Sequence, residues 1–447
     1  VIGVATGSSL RPLLWTGAAL AAGLVVAVAV VTPWSPWTPL DVPADAVVPP
    51  DPALDFTSDE RAAEDAYHAA VRPPAYLALA VGLAATVAVG FTPLGARLVR
   101  RLPSPRWAPT LVPALVGGFA VLLAVRLLTL PMSAWQESVR RDVGLSTRDW
   151  WGWAADVARG FGVQTTLTML AVLALVLLAR RWPQRWWMVA APGAAGFVVA
   201  ASLAYPLVVE PVFNRFEPLA DDELRSSLVA LAEQQGVAVG DVLVADASRR
   251  TTALNAYVSG LGPTKRVVLY DTLLQTAPTD EIELVVAHEL AHARENDVLR
   301  GTLLGAGGAA LAVVVIALAG SWGPVRRSAG LGDGTGVSGS PLGQAAAVPL
   351  LLALVSLLGF VSTPGESAVS RHIEARADAV ALEITGDAAT FARMQRTLAV
   401  TALSDLDPPR MLHWWFASHP TAPERIAMAR TWATATDSPV PPPLAPE

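Results

Sequence analysis

The sequence contains no cysteine in 447 residues. Disulfides and thiolate metal ligands are thereby excluded, so any metal must be held by histidine and carboxylate. Lysine is nearly absent: Lys265 is the single one, and arginine supplies the remaining positive charge, a bias of composition and not a functional signal. Charge of either sign is scarce. Only 16% of residues are charged, against 53% hydrophobic and a mean hydropathy of +0.45, whereas a soluble domain of this length carries far more charge. The net charge of -6 is modest and unclustered, which argues against a nucleic-acid partner. Histidine is rare too, with six in the chain, so two of them four residues apart stand out.

What the chain has in quantity is apolar length. Seven stretches approach or reach the roughly 20 residues needed to cross a bilayer, at about 13–31, 75–92, 108–130, 161–179, 186–209, 301–320 and 345–361. The first has only Arg11 before it and no small-residue cleavage site after it, and reads as a retained anchor. Tryptophans gather at Trp34/Trp37, Trp150/Trp151/Trp153 and Trp182/Trp186/Trp187, where interfacial aromatic belts belong. Pro131 is expected to end the third span, and Pro192 and Pro206 to kink the fifth. Arg126, inside the third span, reads equally as the polar lining of an internal chamber or as one paired or snorkelling charge.

The loops differ in charge. The linker 33–73 is Pro- and Asp-rich and carries eight acidic residues against Arg61 and Arg72. The loops after spans two, four and six, with Arg11, hold ten arginines against Asp333 alone. Parity puts them on one side, and the positive-inside rule makes that side the cytoplasm. The parts after spans five and seven are then extracytoplasmic.

Two polar blocks remain, 210–300 and 364–447. In the first, 221–235 has helical periodicity and stops at Gly236, and 241–245, 256–259 and 266–270 read as short strands. Thr279 or Asp280 is expected to cap a helix that runs through 285–296 and on into the sixth span. The second block is expected to open with a helix from about Glu366 to Thr385, closed by Gly386. From about Ser438 it ends in a Pro-rich tail with no evident reason to fold. His68 and His413 have no convincing partners and read as surface histidines.

The segment Val286-Ala287-His288-Glu289-Leu290-Ala291-His292 is an H-E-x-x-H motif. Residues four apart share one helix face, so both imidazoles can reach one ion. Glu289 sits about 100° round the helix from His288, placed to take the proton of an attacking water without ligating the metal. A coincidental match on an amphipathic helix is the competing reading, and the six-histidine composition makes it rare. A catalytic zinc needs a third protein ligand and an open position. Glu366, His372, Glu374, Asp378, His413 and His419 are all candidates. The residues alone do not choose: Glu374 as ligand with Asp378 behind it competes with a merely solvated acidic face.

Several strings resemble the type I CAAX prenyl protease family of integral-membrane zinc peptidases. Ser370-Arg371-His372-Ile373-Glu374-Ala375-Arg376-Ala377-Asp378-Ala379 resembles its S-R-x-x-E-x-x-A-D-x segment, and 211–219 (PVFNRFEPL) its P-L-F-N-x-F-x-P-L signature. Asn255-Ala256-Tyr257 with 265–274 (KRVVLYDTLL) is similar to its edge-strand region, and Ser418-His419-Pro420 with Glu424-Arg425 to its S-H-P-P-x-x-E-R. The resemblance implies that Glu374 is the third zinc ligand and that Asp378 and Arg425 support the site. It further implies that Asn255, Ala256 and Tyr257 pair with an extended substrate and that His419 donates to the oxyanion. A turn role for Asn255, a loop role for His419 and a structural role for Arg425 are the plainer alternatives. The chain departs from the family at 141–147 (RDVGLST), which keeps little of an E-x-K-H-G-F-N-like string, and in its acidic linker. The eukaryotic members imply a cytosolic catalytic side, opposite to the arginine count.

The expected fold is a mainly α membrane protein: about seven transmembrane helices plus a zincin-type α/β metallopeptidase domain split around spans six and seven. Its parts are 1–209 with five spans, 210–300 with the H-E-x-x-H helix, 301–363 with spans six and seven, 364–436 as the second peptidase part, and the tail 437–447. The expected function is that of a membrane-embedded zinc metalloendopeptidase. It would hold one Zn2+ per chain and hydrolyse extended segments of peptides or proteins at the bilayer. The alternative class is a seven-span receptor or transporter with a structural zinc closed by a fourth protein ligand. The intact Glu289 and the separate His419 favour the enzyme.

Overall fold

The computed structural model describes residues 7–38, 40–260, 265–332 and 340–445; Asp333 and much of the Gly/Ser-rich loop lie outside the described residues. Five long helices come first: α1 (Gly7–Val31), α2 (Ser58–Phe91), α3 (Leu111–Asp142), α4 (Trp150–Arg181) and α5 (Trp186–Ala204). α2 opens with a capping box, in which Glu60 N–H donates to Thr57 Oγ1 (3.2 Å) and Thr57 N–H to Glu60 Oε2 (2.9 Å). α3 does not end at Pro131 but runs on to Asp142. Hydroxyls take up carbonyls around the interruption, Thr129 donating to Val125 O (3.1 Å) and Ser133 to Thr129 O (3.3 Å). Pro206 lies in a π-helical turn, Tyr205–Val209, where Glu210 N–H bonds Tyr205 O.

The next block carries β1 (Phe216–Pro218), α6 (Asp222–Gln234), β2 (Asp241–Ala245), β3 (Ala256–Ser259) and β4 (Arg266–Tyr270). α6 is capped by the Asp221 side chain and leaves through Gly236, whose φ of +70° suits glycine. The sheet order is β1-β2-β4-β3, with β2 and β4 parallel and both outer pairs antiparallel. β3 is therefore an edge strand.

α7 (Thr279–Arg294) carries the H-E-x-x-H motif. Its N-cap residue is Pro278, with no side-chain cap, so neither Thr279 nor Asp280 caps it. Nor does it continue into the sixth span. Asn296 adopts a left-handed conformation (φ 56°), and a separate helix, α8 (Asp297–Ser321), starts there. The opposite holds further on: the helix expected to open near Glu366 is the second half of α9 (Val348–Thr385), one helix with the seventh span. α10 (Ala388–Ala402), α11 (Arg410–Phe416) and α12 (Ala422–Ala435) complete the fold. Among the described residues, seven helices are long and apolar enough to cross a membrane.

Two apolar cores result. One gathers Leu228, Leu269, Val286, Leu290, Phe391 and Ile426 around the sheet and α7. The other, among the long helices, holds Val172, Val176, Val314 and Leu351. α2 and α9 cross so closely that a Cβ on Gly90 would lie 2.3 Å from Ala353 Cβ, a contact only glycine permits. At one end of the bundle the arginine-rich loops meet, Arg100 donating to Gly330 O (3.1 Å) and Arg180 to Thr110 Oγ1.

The acidic linker and the Pro-rich tail are both tied to the elements around the sheet, contrary to the expectation for the tail. Arg430, buried, donates to both oxygens of buried Asp55 and to the carbonyls of Pro441 (3.1 Å) and Pro442 (3.0 Å). Leu444 N–H donates to Leu54 O (3.0 Å). Prolines lack an N–H but keep a carbonyl, and here those carbonyls satisfy a buried guanidinium. Arg396 donates to Glu60 (2.6 Å), and Arg72 to Asp405. His68 is not a free surface histidine: it is half-buried, with Nε2 2.9 Å from Leu403 O.

Candidate metal centre

α7 is buried on nearly every face from Leu284 to Ala291, with Val286, Ala287 and Leu290 at 0% exposure. Its C-terminal carbonyls are met by a cation, as the helix dipole favours: Lys265 Nζ donates to Ala293 O (2.8 Å). On this fixed helix His288 Nε2 and His292 Nε2 face each other at 3.2 Å. α9 brings in Glu374, with Oε2 3.2 Å from His288 Nε2 and Oε1 3.6 Å from His292 Nε2. The three residues each offer a donor atom within 4.8 Å of the others. Ligands about 2.0–2.1 Å from a tetrahedral ion lie roughly 3.3 Å apart, so the residues present fit zinc.

The outer nitrogens of both rings are also held. His288 Nδ1 lies 2.9 Å from Asp378 Oδ1, and His292 Nδ1 3.0 Å from Asp297 Oδ2. Each carboxylate has its own arginine: Arg425 Nε donates to Asp378 Oδ2 (2.7 Å), and Arg376 to Asp297. Nδ1 tied to a carboxylate leaves Nε2 directed inward. Burial lowers the proton affinity of the His292 ring, but Asp297 and Glu374 outweigh it and push its pKa up to about 10. The pocket thus favours positive charge at the point where the donors converge. Burial pushes the half-buried Glu289 carboxyl up, against the pull of His288 and His292.

His419 reaches the same point from the loop between α11 and α12. Its Nε2 is 3.2 Å from Glu374 Oε2, and its side chain is 55% exposed, on the open side of the centre. Ser418 Oγ lies 2.8 Å from its Nδ1, and Arg371 supports the turn before it by donating to His413 O (3.1 Å) and Ala417 O (2.6 Å). A cavity of about 540 Å³ opens beside His419 and Arg425, walled by Leu412, Phe416 and Arg72. On β3, Asn255 precedes the strand and is exposed, Ala256 is buried, and Tyr257 stacks edge-on against Tyr270.

Of the six candidates for the third ligand, the structure brings Glu374, Asp378 and His419 to the centre. His372 points away, edge-on to Trp34 (5.1 Å between ring centroids); Glu366 is exposed on α9, and His413 is in α11. Asp297 and Arg376 carry no sequence signal that singles them out. Asp297 follows His292 by five residues, which on a continuous helix places it off the histidine face; the break at Asn296 turns it back.

The sequence profile of Peptidase family M48 matches residues 218–433, and that of the CAAX prenyl protease N-terminal region, five membrane helices, matches 73–215. An uncharacterized metalloprotease of Bacillus subtilis, YhfN, is 33% identical over 70% of this chain and 72% of its own. The chain belongs to peptidase family M48. It is a multi-pass membrane zinc metallopeptidase whose N-terminal helices are of the CAAX prenyl protease type, and nothing supports the receptor or transporter alternative. CAAX prenyl protease 1 of Saccharomyces cerevisiae is 41% identical over 23% of this chain and 22% of its own. The Arabidopsis thaliana homolog is 32% identical over half of each chain. The alignments with these CAAX prenyl proteases thus cover half of their length or less. The fold matches that of Saccharomyces mikatae Ste24p (TM-score 0.73, 20% identity, 93% of this chain and 98% of that one).

Proposed function

We propose that His288, His292 and Glu374 hold one zinc ion and that Glu289 is the general base of an endopeptidase acting on extended, membrane-associated peptide segments. The observation that carries this reading is the convergence of three donor atoms within 4.8 Å beside an intact Glu289. Zinc bound there supplies Lewis acidity, polarising the scissile carbonyl and acidifying water. Glu289 takes the proton of the attacking water and returns it to the leaving amine. His419 donates from Nε2 to the developing oxyanion. Asp378 and Asp297 orient the two imidazoles, and Arg425 and Arg376 hold those carboxylates in turn. The free edge of β3, with Asn255, Ala256 and Tyr257, takes the substrate as an added strand, main chain to main chain.

The relatives named for CAAX prenyl substrates support the reaction class, while the substrate class proposed is the broader one, an extended peptide at the bilayer. The nine arginines of the loops opposite the peptidase elements, together with Arg11, support an extracytoplasmic position for the centre.

The test is zinc content and peptidase activity of the purified chain beside Glu289→Gln. The wild type is expected to hold one zinc and to cleave peptides. Glu289→Gln is expected to keep the zinc and lose about 10²–10⁴-fold in kcat, the range for a lost general base. A variant that cleaves normally removes Glu289 from the mechanism, and a wild type without zinc removes the metal site.

A further inference from the structure

Between α3 and α4, under the loop that precedes β3, lies a second cavity of about 480 Å³ whose wall includes Arg126, Arg140, Arg148, Asp156 and Arg250. Its charges do not balance. Arg148 sits between Glu137 (2.7 Å) and Asp156 (3.4 Å), and Asp156 also receives Arg159 (2.8 Å). Two carboxylates are thus matched by two arginines. Among the described residues the other three have no carboxylate partner. Arg126 reaches only Ser133 Oγ, at 3.5 Å; Arg250 donates to the amide oxygen of Asn214; Arg140 is exposed and makes no side-chain contact of this kind. Arg126 lies about 22 Å along α3 from Leu111, within the apolar stretch, where an unpaired charge is costly unless it faces a polar cavity with an anion to meet. The polar-chamber reading of Arg126 is the one this wall supports.

The cavity is tied to the substrate strand. Ser146, from the loop closing it, forms a bridge with Thr251, and Thr252 N–H donates to Leu145 O (3.4 Å). Arg250 and Ala256 are six residues apart, so the cavity rim is at most about 20 Å of chain from the start of β3. We propose that this arginine-lined cavity is an anion subsite that takes an acidic stretch of the substrate, about four to seven residues from the bond cleaved on β3. Planar guanidinium groups match carboxylates in bidentate fashion. Continuity with β3 favours a peptide carboxylate over an anionic lipid headgroup. This inference rests on the edge-strand reading given above.

The test uses the full-length zinc-loaded protein in neutral detergent and a fluorogenic peptide it cleaves, made in three versions. These carry Glu-Glu, Gln-Gln or Lys-Lys four to seven residues from the scissile bond, on either side in turn. On one side, the wild type should prefer the Glu version by about tenfold in kcat/KM, through KM and with loss at high salt. Arg126→Gln/Arg140→Gln should remove that preference while cleaving the Gln version at the wild-type rate. Arg140→Glu, at the exposed rim, should shift preference toward the Lys version and serves if the double variant does not fold. Equal cleavage of all versions by the wild type, or a preference that survives both variants, overturns the subsite. So does an activity that responds to phosphatidylglycerol vesicles but not to peptide charge, which assigns the cavity to a lipid. Cleavage of none of the versions would instead count against the edge-strand reading.

Discussion

Asp297 carries the main lesson at the scale of single residues. The motif of His288, Glu289 and His292 is legible because residues four apart share one helix face, and the structure brings the two imidazoles together. Glu374 is one of six candidates, and only the resemblance of its surrounding string singles it out. Asp297 is hidden because its position depends on the φ of 56° at Asn296, a backbone choice that an asparagine permits but does not announce. Its oxygens divide between His292 Nδ1 (3.0 Å) and Arg376. Asp297→Asn is expected to weaken zinc binding about 10–100-fold, as losing a carboxylate behind a ligating histidine does, with activity restored by excess zinc. Competition against a chelator of known affinity measures this. Unchanged zinc affinity would reduce Asp297 to an anchor for the start of α8.

At the scale of elements, apolar length identifies the seven spans and periodicity α6 and three of the four strands, but α10 and α12 are not read from the sequence, and the reading fails at the joins. α7 and α8 read as one helix because no glycine or proline stands between them; α9 reads as two because its polar half changes period and company, not backbone. Pro131 reads as an end, whereas α3 runs through it to Asp142. β1, three residues long, is too short to show any period. Packing between elements leaves a further mark. Glu281, in the first turn of α7, is buried, and Arg393 from α10 pairs with its neighbour Asp280 (3.1 Å). Burial raises the Glu281 carboxyl above its ordinary value, with a hydrogen bond to Thr397 opposing it. A carboxyl whose folded pKa is raised contributes stability below its unfolded pKa and loses it as pH rises through the folded one. Glu281→Gln should therefore raise Tm relative to wild type at pH 8, with the difference shrinking as pH falls toward 4. A difference independent of pH would show that ionisation of Glu281 is not what strains this contact.

At the scale of the whole molecule, the linker and the tail are both held to the peptidase half by one arginine of α12: Arg430 pairs with Asp55 of the linker and donates to the Pro441 and Pro442 carbonyls of the tail. Asp55 and Arg430 are 375 residues apart, and no local pattern announces such a pairing. The same long-range view bears on orientation. The arginine-rich loops are in contact at one end of the bundle, while the sheet and the metal centre are joined to the other end through Ser146 and Thr251. Because the sequence has no cysteine, a single introduced thiol reports its own side of the membrane. Gln184→Cys lies in the loop between α4 and α5, and Gln234→Cys at the exposed end of α6. If the arginines face the cytoplasm, a membrane-impermeant maleimide on intact spheroplasts of an expressing bacterial host should label position 234. Position 184 should then label only after permeabilisation. The reverse pattern would place hydrolysis in the cytoplasm, and the arginines would then have to be explained by contacts at the bundle end instead of by topology.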